Sequence, residues 1–287
     1  MKILLTLLII LVISWAQSST QYNYDTSLSM LYYAKASYCS SAAILSWTGT
    51  PFNHHPGMQS ITVIDNKKHD SQMFMGYDKT KDQIVAAFRG SSNIRNWFDN
   101  LKFFKTKYPS CSGCEVHIGF YEAWNAIQVQ VHNTYLSLRK SYPTAKFAIT
   151  GHSLGATQAQ LCALYFSEIG VKVDLLYHFG SPRVGNEKFA VYAVSKLPQN
   201  NLVTHHRDPV PHVPKENMGY RRINTEVFYK GKGANEYIFC AEAPGVEAPH
   251  CSNKYWLDID ISNHLHYLGH STGCDDLTSS EIQEIYQ

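Results

Sequence analysis

The stretch ITGHSLGATQAQL, residues Ile149–Leu161, sets Ser153 between Gly151 and Gly155. Phe147, Ala148 and Ile149 lead into it with the apolar character of a buried strand, and Lys146–Thr150 reads as that strand. A helical pattern follows from Ala156 to Ile169 and ends at Gly170. Gly-x-Ser-x-Gly at a strand-to-helix junction is a turn so sharp that a side chain at either glycine would meet neighbouring backbone. The turn raises the serine hydroxyl above the sheet, beside a helix N-terminus. There unpaired N–H groups and the helix dipole favour negative charge, and the N–H of Leu154 is the natural donor to an oxyanion. Five residues alone are a weak signal. Small Ala156 and Ala159, which let the helix pack closely, strengthen it.

Outward from this turn, strands and helices alternate. Thr26–Ser46 has helical spacing, and Ser60–Asp65, Ser71–Tyr77 and Gln83–Arg89 read as strands. A long helix is expected over Trp124–Tyr142, a strand over Val173–Phe179, a helix over Asn186–Leu197 and a strand over Leu202–His206. The alternation implies an α/β fold, a mostly parallel central sheet flanked by helices. With the serine turn, that is the α/β-hydrolase pattern. Residues 217–255 are rich in Gly and Pro and show no clear period.

The chain has 287 residues, a formal charge of +2 and no run of like charges. Nucleic acid is therefore not an expected partner, since phosphate binding needs a clustered basic face. MKILLTLLIILVISWAQSS opens with Lys2 and an apolar run broken only at Thr6, then small Ser14 and Ala16. This reads as a secretory signal over 1–16, too short to be a membrane anchor. No other stretch approaches transmembrane length, and residues 17–287 are read as one domain in a secreted, extracellular or lumenal protein. All seven cysteines lie after residue 16, so in an oxidising compartment most should pair. Cys162, on the apolar side of the helix after Ser153, is the candidate buried free thiol. Cys111 and Cys114 have redox or zinc spacing, but the leader and the lack of a second Cys/His pair favour a local disulfide.

If Ser153 is a nucleophile, it needs a base and an acid. In this fold the chain order is Ser, acid, His. Asp208 follows the strand Leu202–His206 closely, and Pro209 and Pro211 stiffen the turn. Asp174 competes but lies at the opposite end of its strand. Of the histidines after Asp208, His212 and His250 sit in Pro-bounded loops, while His264 and His266 cannot be separated by spacing.

AAFRGSSNIRNWFDNL (86–101), CSGCEVHIGFYEAW (111–124), ITGHSLGATQAQLCAL (149–164), FGSPRVGN (179–186), THHRDPVPHVP (204–214) and DISNHLHYLG (260–269) carry a resemblance over most of the chain. In order and spacing they resemble the fungal-type secreted class 3 lipases. The resemblance implies Asp208 as triad acid and His264 as base, with His266 at a usually aromatic position as its rival. It maps the second oxyanion donor to Ser91, whose N–H and hydroxyl would face the developing charge. It implies disulfides Cys39–Cys274 and Cys111–Cys114, which leaves Cys240 with Cys251.

Ile94, Trp97, Phe98 and Leu101 recur at i, i+3, i+4 and i+7, opposite Arg95, Asn96 and Asp99. Most such helices pack on a core, but in the resembled lipases this segment is a lid over the active site. Its apolar face favours long-chain lipid esters over feruloyl esters. The implied protein is a monomeric serine esterase of lipids, most simply a triacylglycerol lipase, acting at an oil–water or membrane interface without metal or cofactor. Phospholipase A1 and feruloyl-type esterase are the alternatives with the same chemistry. A non-catalytic lipid-binding homologue is the alternative of another class.

Overall fold

The computed structural model describes residues 22–197, 200–223, 226–231, 236–240, 243–255, 257 and 260–276. The expected leader, 1–16, lies outside them. Helix α1 (Tyr24–Ala36) starts at Asn23, whose side chain accepts from Thr26 N–H. The single helix expected over Thr26–Ser46 is two. Ser37 returns its hydroxyl to Ala34 O at 2.6 Å, and Ser40 caps a second helix, α2 (Ser41–Ser46), by accepting from Ala43 N–H. Serine side chains compete with the helical ladder, so two of them three residues apart break it. The break sets Tyr38 and Cys39 at the edge of the site described below.

Next come β1 (Met58–Asn66), β2 (Ser71–Asp78), β3 (Gln83–Phe88), α3 (Ile94–Asn100) and a short hairpin of β4 (Lys105–Lys107) and β5 (Glu115–His117). They are followed by α4 (Ile118–Ser141), β6 (Lys146–His152), α5 (Leu154–Glu168), β7 (Leu175–Phe179), α6 (Glu187–Lys196) and β8 (Asn200–His205). Two further strands, β9 (Glu226–Tyr229) and β10 (Tyr237–Cys240), come from the unread 217–255 region. The main sheet runs β1-β2-β3-β6-β7-β8-β9-β10. Its centre, β3 through β9, is parallel, and antiparallel pairs close both edges.

Alternation along the central strands divides the core. Ile84, Ala86 and Phe88 of β3 and Phe147 and Ile149 of β6 pack with α4 and α5. Val85, Ala87 and Ala148 pack with α1 on the other face. Thr150 also turns to that face and donates to Met30 O at 3.1 Å. Among the described residues no helix is long and apolar enough to cross a membrane.

Two devices hold the outlying loops. Cys39 is bonded to Cys274, Cys111 to Cys114 and Cys240 to Cys251, and Cys162 is a buried free thiol on α5. Buried Arg183 forks onto Glu247 with two bonds of 2.7 Å and donates to His212 O and Pro214 O, fixing the loop after Asp208. Arg222 reaches the same carboxylate at 2.7 Å. Burial opposes the charge of Glu247, but the Arg222 and Arg183 guanidiniums prevail and hold it down at about 2.

Joining residues 235 apart restricts the unfolded chain strongly. Replacing Cys39 and Cys274 together by Ala is expected to cost about 2–5 kcal/mol in urea unfolding, and an unchanged midpoint contradicts this. Acid should also destabilise the fold. Burial, with the Arg222 and Arg183 charges, lowers His212 to about 3, and burial lowers His178 to about 4. Both titrate lower in the folded than in the unfolded chain. Their stability is therefore whole above about pH 6.5 and is lost as pH falls toward those values. Among the described residues neither ring nitrogen of His212 has a hydrogen-bond partner, so His212→Phe breaks no such bond there. That variant should lose less stability than the wild type between about pH 7 and pH 5. An equal loss removes His212 from the account.

Candidate active site

The turn from β6 into α5 has the strain that its sharpness demands. Ser153 sits at φ 59, ψ −130, a region that L-residues rarely adopt. Its N–H is tied to Phe179 O at 2.9 Å. Both flanking glycines are required by space. A Cβ on Gly151 would lie 2.4 Å from Gly155 O, and one on Gly155 would lie 2.2 Å from Phe88 O and 2.6 Å from Arg89 C. These neighbours are backbone and cannot move aside cheaply.

Asp208 follows β8, and the residues around it anchor the His264 loop. Asp260 N–H donates to Arg207 O, His205 Nδ1 lies 3.0 Å from Asn263 O, and Asn263 donates to Asp260. This delivers His264 Nδ1 to Asp208 Oδ2 at 2.8 Å. Oδ2 also accepts from Tyr267 OH at 2.5 Å, while Oδ1 accepts from Val210 N–H at 2.8 Å. Asp208 thus caps its own turn and orients a histidine at once. His266 is buried with its ring 6.2 Å from that of His205, and Asp208 takes His264. Gly180 lies beneath this group: a Cβ there would sit within 3.0 Å of Asp208 Oδ2, Tyr267 OH and His264 Cε1.

The chemistry is set by what remains unbonded. Ser153 Oγ and His264 Nε2 are both buried and have no hydrogen-bond partner among the described residues. Leaving buried polar atoms unpaired costs about 1–3 kcal/mol each, so each such atom calls for an explanation, and here the two fall on a serine and a carboxylate-bound histidine. His152, next to the serine, packs its ring 4.4 Å from that of His264. A neutral imidazole with Nδ1–H on a carboxylate has Nε2 available to take a proton.

The turn after β3 lies against the serine. A Cβ on Gly90 would be 2.8 Å from Ser153 Cβ. This places the backbone of Ser91 beside the start of α5, whose first residue is Leu154. The hydroxyl of Ser91 does not match the expectation. It donates to Asp70 Oδ2 at 3.4 Å and accepts from Asn93 N–H. Asp70 also accepts from Ser92 N–H at 2.9 Å and pairs with Arg89 at 2.6 Å. The backbone N–H of Ser91 remains the candidate donor.

Helix α3 is capped by Asn93 and carries partly buried Ile94, Trp97 and Phe98. Leu101 lies beyond it, in extended backbone, because Asn100 donates to Asn96 O and closes the helix. Trp97 and Leu101 both pack on the core cluster that contains Leu154 and Phe120. Tyr267, His152, Tyr38 and Asp70 were not singled out by sequence reasoning. Tyr267 lay three residues past His264 in a quoted stretch, and His152 lay inside the serine turn. Glu226, Cys240 and Cys251 have metal-like proximity, but the two sulfurs are bonded to each other.

Residues 85–218 match the family described as lipase (class 3). The secreted mono- and diacylglycerol lipase 1 of Fusarium solani is 34% identical over 204 residues, covering 70% of this chain and 61% of that protein. A lipase of Rhizomucor miehei is 35% identical over 209 residues, covering 71% of this chain and 57% of that protein. The chain thus spans little more than half the length of these curated relatives. The solved Rhizomucor miehei lipase–propeptide complex superposes with a TM-score of 0.81 at 31% identity, covering 87% of this chain and 81% of that one.

Proposed function

Because the chain belongs to the class 3 lipase family, we propose that it is a secreted serine hydrolase of lipid carboxylic esters, triacylglycerols foremost. The observation that carries this reading is the 2.8 Å bond from His264 Nδ1 to Asp208 Oδ2, with His264 Nε2 and Ser153 Oγ each buried and without a hydrogen-bond partner among the described residues. Among its relatives, one solved at 30% identity and a TM-score of 0.81 is a triacylglycerol lipase whose catalytic centre is a serine-protease triad.

In this mechanism Ser153 Oγ attacks the ester carbonyl and its proton passes to His264 Nε2. Asp208 fixes the imidazole tautomer and stabilises the imidazolium. The N–H groups of Leu154 and Ser91 hold the tetrahedral oxyanion, each contributing about 3–4 kcal/mol to lowering the barrier. His264 returns the proton to the departing alcohol. Water then attacks the acyl-enzyme, giving up a proton to His264, and the fatty acid leaves as Ser153 is restored. Helix α3 acts as the lid, with Ile94, Trp97, Phe98 and Leu101 meeting lipid when it lifts. Exposed Phe104 and Leu265 add apolar surface to that side of the reading. The protein works as a monomer.

Ser153→Ala should lower ester turnover by roughly 10⁴-fold or more while the protein stays folded, and activity near wild type sinks the proposal. Rates on triacylglycerol, diacylglycerol, phospholipid vesicles and methyl ferulate decide the substrate. Triacylglycerol should lead, with a rise in rate above its solubility limit. A phospholipid or ferulate preference, or no rise, replaces those parts of the reading.

A further inference from the structure

His152 and Tyr38 make contacts that the triad does not use. His152 is 2% exposed, and its Nε2 lies 2.9 Å from the carbonyl oxygen of His264. Its Nδ1 lies 2.8 Å from Tyr38 OH. Gly90, one residue before the oxyanion candidate Ser91, packs against the same hydroxyl: a Cβ there would lie 2.1 Å from Tyr38 OH. Tyr38 belongs to the break between α1 and α2, and its neighbour Cys39 is bonded to Cys274.

The proton positions follow from the partners. A carbonyl only accepts, so Nε2 of His152 carries the hydrogen. Neutral imidazole then accepts at Nδ1, so Tyr38 donates there. Every link is satisfied in one direction, and a second proton on His152 would break the order. It would also put a cation 4.4 Å from a ring that must itself become a cation during turnover. Burial, reinforced by the charge of His264, holds the pKa of His152 well below its usual value, in keeping with this arrangement.

We infer that Tyr38 and His152 are positioning residues: a hydrogen-bond relay from Tyr38 OH, packed against Gly90, through the His152 ring to His264 C=O ties the oxyanion turn to the general base beneath the nucleophile. The inference rests on the proposed roles of Ser153 and His264. Its geometric consequence is that the donor of the oxyanion and the acceptor of the proton cannot drift independently. Preorganisation of this kind is set by the residues that hold reacting groups rather than by those groups alone.

Tyr38→Phe removes one hydroxyl and keeps the ring. Tyr38→Phe and His152→Phe should each lower kcat on soluble p-nitrophenyl butyrate on the order of tenfold, with KM within about twofold. The double variant should be no slower than His152→Phe, because the relay is already cut. His152→Gln, which can donate to His264 and accept from Tyr38, should recover most of the loss. Wild-type kcat in Tyr38→Phe, or costs that multiply in the double variant, overturns the relay. Histidine ¹⁵N spectra test it without turnover. His152 should stay neutral and protonated at Nε2 as the pH falls through the range where an ordinary histidine titrates, and Tyr38→Phe should move its Nδ1 resonance. A His152 that titrates near its ordinary pKa of about 6.5, or carries its proton on Nδ1, also overturns it. If the wild type turns over no ester at all, the proposed function fails while these spectra still decide the relay.

Discussion

Backbone meets backbone where α5 begins, and the site depends on that contact. Gly155 lies against the carbonyl of Phe88 and the chain of Arg89 so closely that a Cβ would sit 2.2 Å from Phe88 O. Gly151 closes the same turn from the other side, with 2.4 Å left to Gly155 O. No side chain larger than hydrogen fits either place. The contact fixes where Ser153 emerges from β6, and it fixes the exit of β3 as well. That exit runs through Gly90, packed on Ser153, to Ser91 and then into α3. The turn at Ser153, the turn at Gly90 and Ser91 and the entry to α3 are therefore set by one packing constraint, which strains Ser153 into positive φ.

Charge and protons are arranged around this frame in an order that leaves two atoms idle. Asp208 is filled by three donors: His264, Tyr267 and its own turn at Val210. Burial, reinforced by the Asp208 charge, pushes the Tyr267 hydroxyl well above its usual pKa, so it remains a donor. His152 is committed to Tyr38 and to the His264 carbonyl. Ser153 Oγ and His264 Nε2 are left in a buried setting without hydrogen-bond partners among the described residues. Such a pair is costly, and the surrounding core stabilises it. The cost is the ground-state side of an arrangement that is satisfied only when a substrate arrives.

The central strands and their helices could be read from the sequence because each buries one kind of surface with one period. Phe147-Ala148-Ile149 and the helix after Ser153 are such elements. β9 and β10 could not be read. The residues beside and within them include Arg222 and Glu226, which look like surface residues yet are buried against Glu247 and Thr204. Pairing across 22–25 positions has no local signature. The split between α1 and α2 depends on two serines that also suit a helix surface. In the site, the serine turn follows from local sterics and Asp208 from chain order. The choice of His264 over His266 needed resemblance, because both residues are buried and only the carboxylate distance separates them. The apolar period runs on to Leu101 although α3 ends one residue earlier, and the Ser91 hydroxyl lies 3.4 Å from Asp70 Oδ2, a partner 21 positions away that the local pattern does not reveal. Tyr38 and His152 act through partners more than 100 positions away, which no window along the chain reveals.

The central claim is that Ser153 is made nucleophilic by His264 held on Asp208. The most direct measurement is covalent labelling by an alkyl phosphonate, read by intact mass and peptide mapping, in the wild type, His264→Ala and His266→Ala, each confirmed folded. The account predicts one phosphonate on the peptide containing Ser153, lost in His264→Ala and retained in His266→Ala. Labelling at another residue, or loss in His266→Ala with retention in His264→Ala, contradicts it.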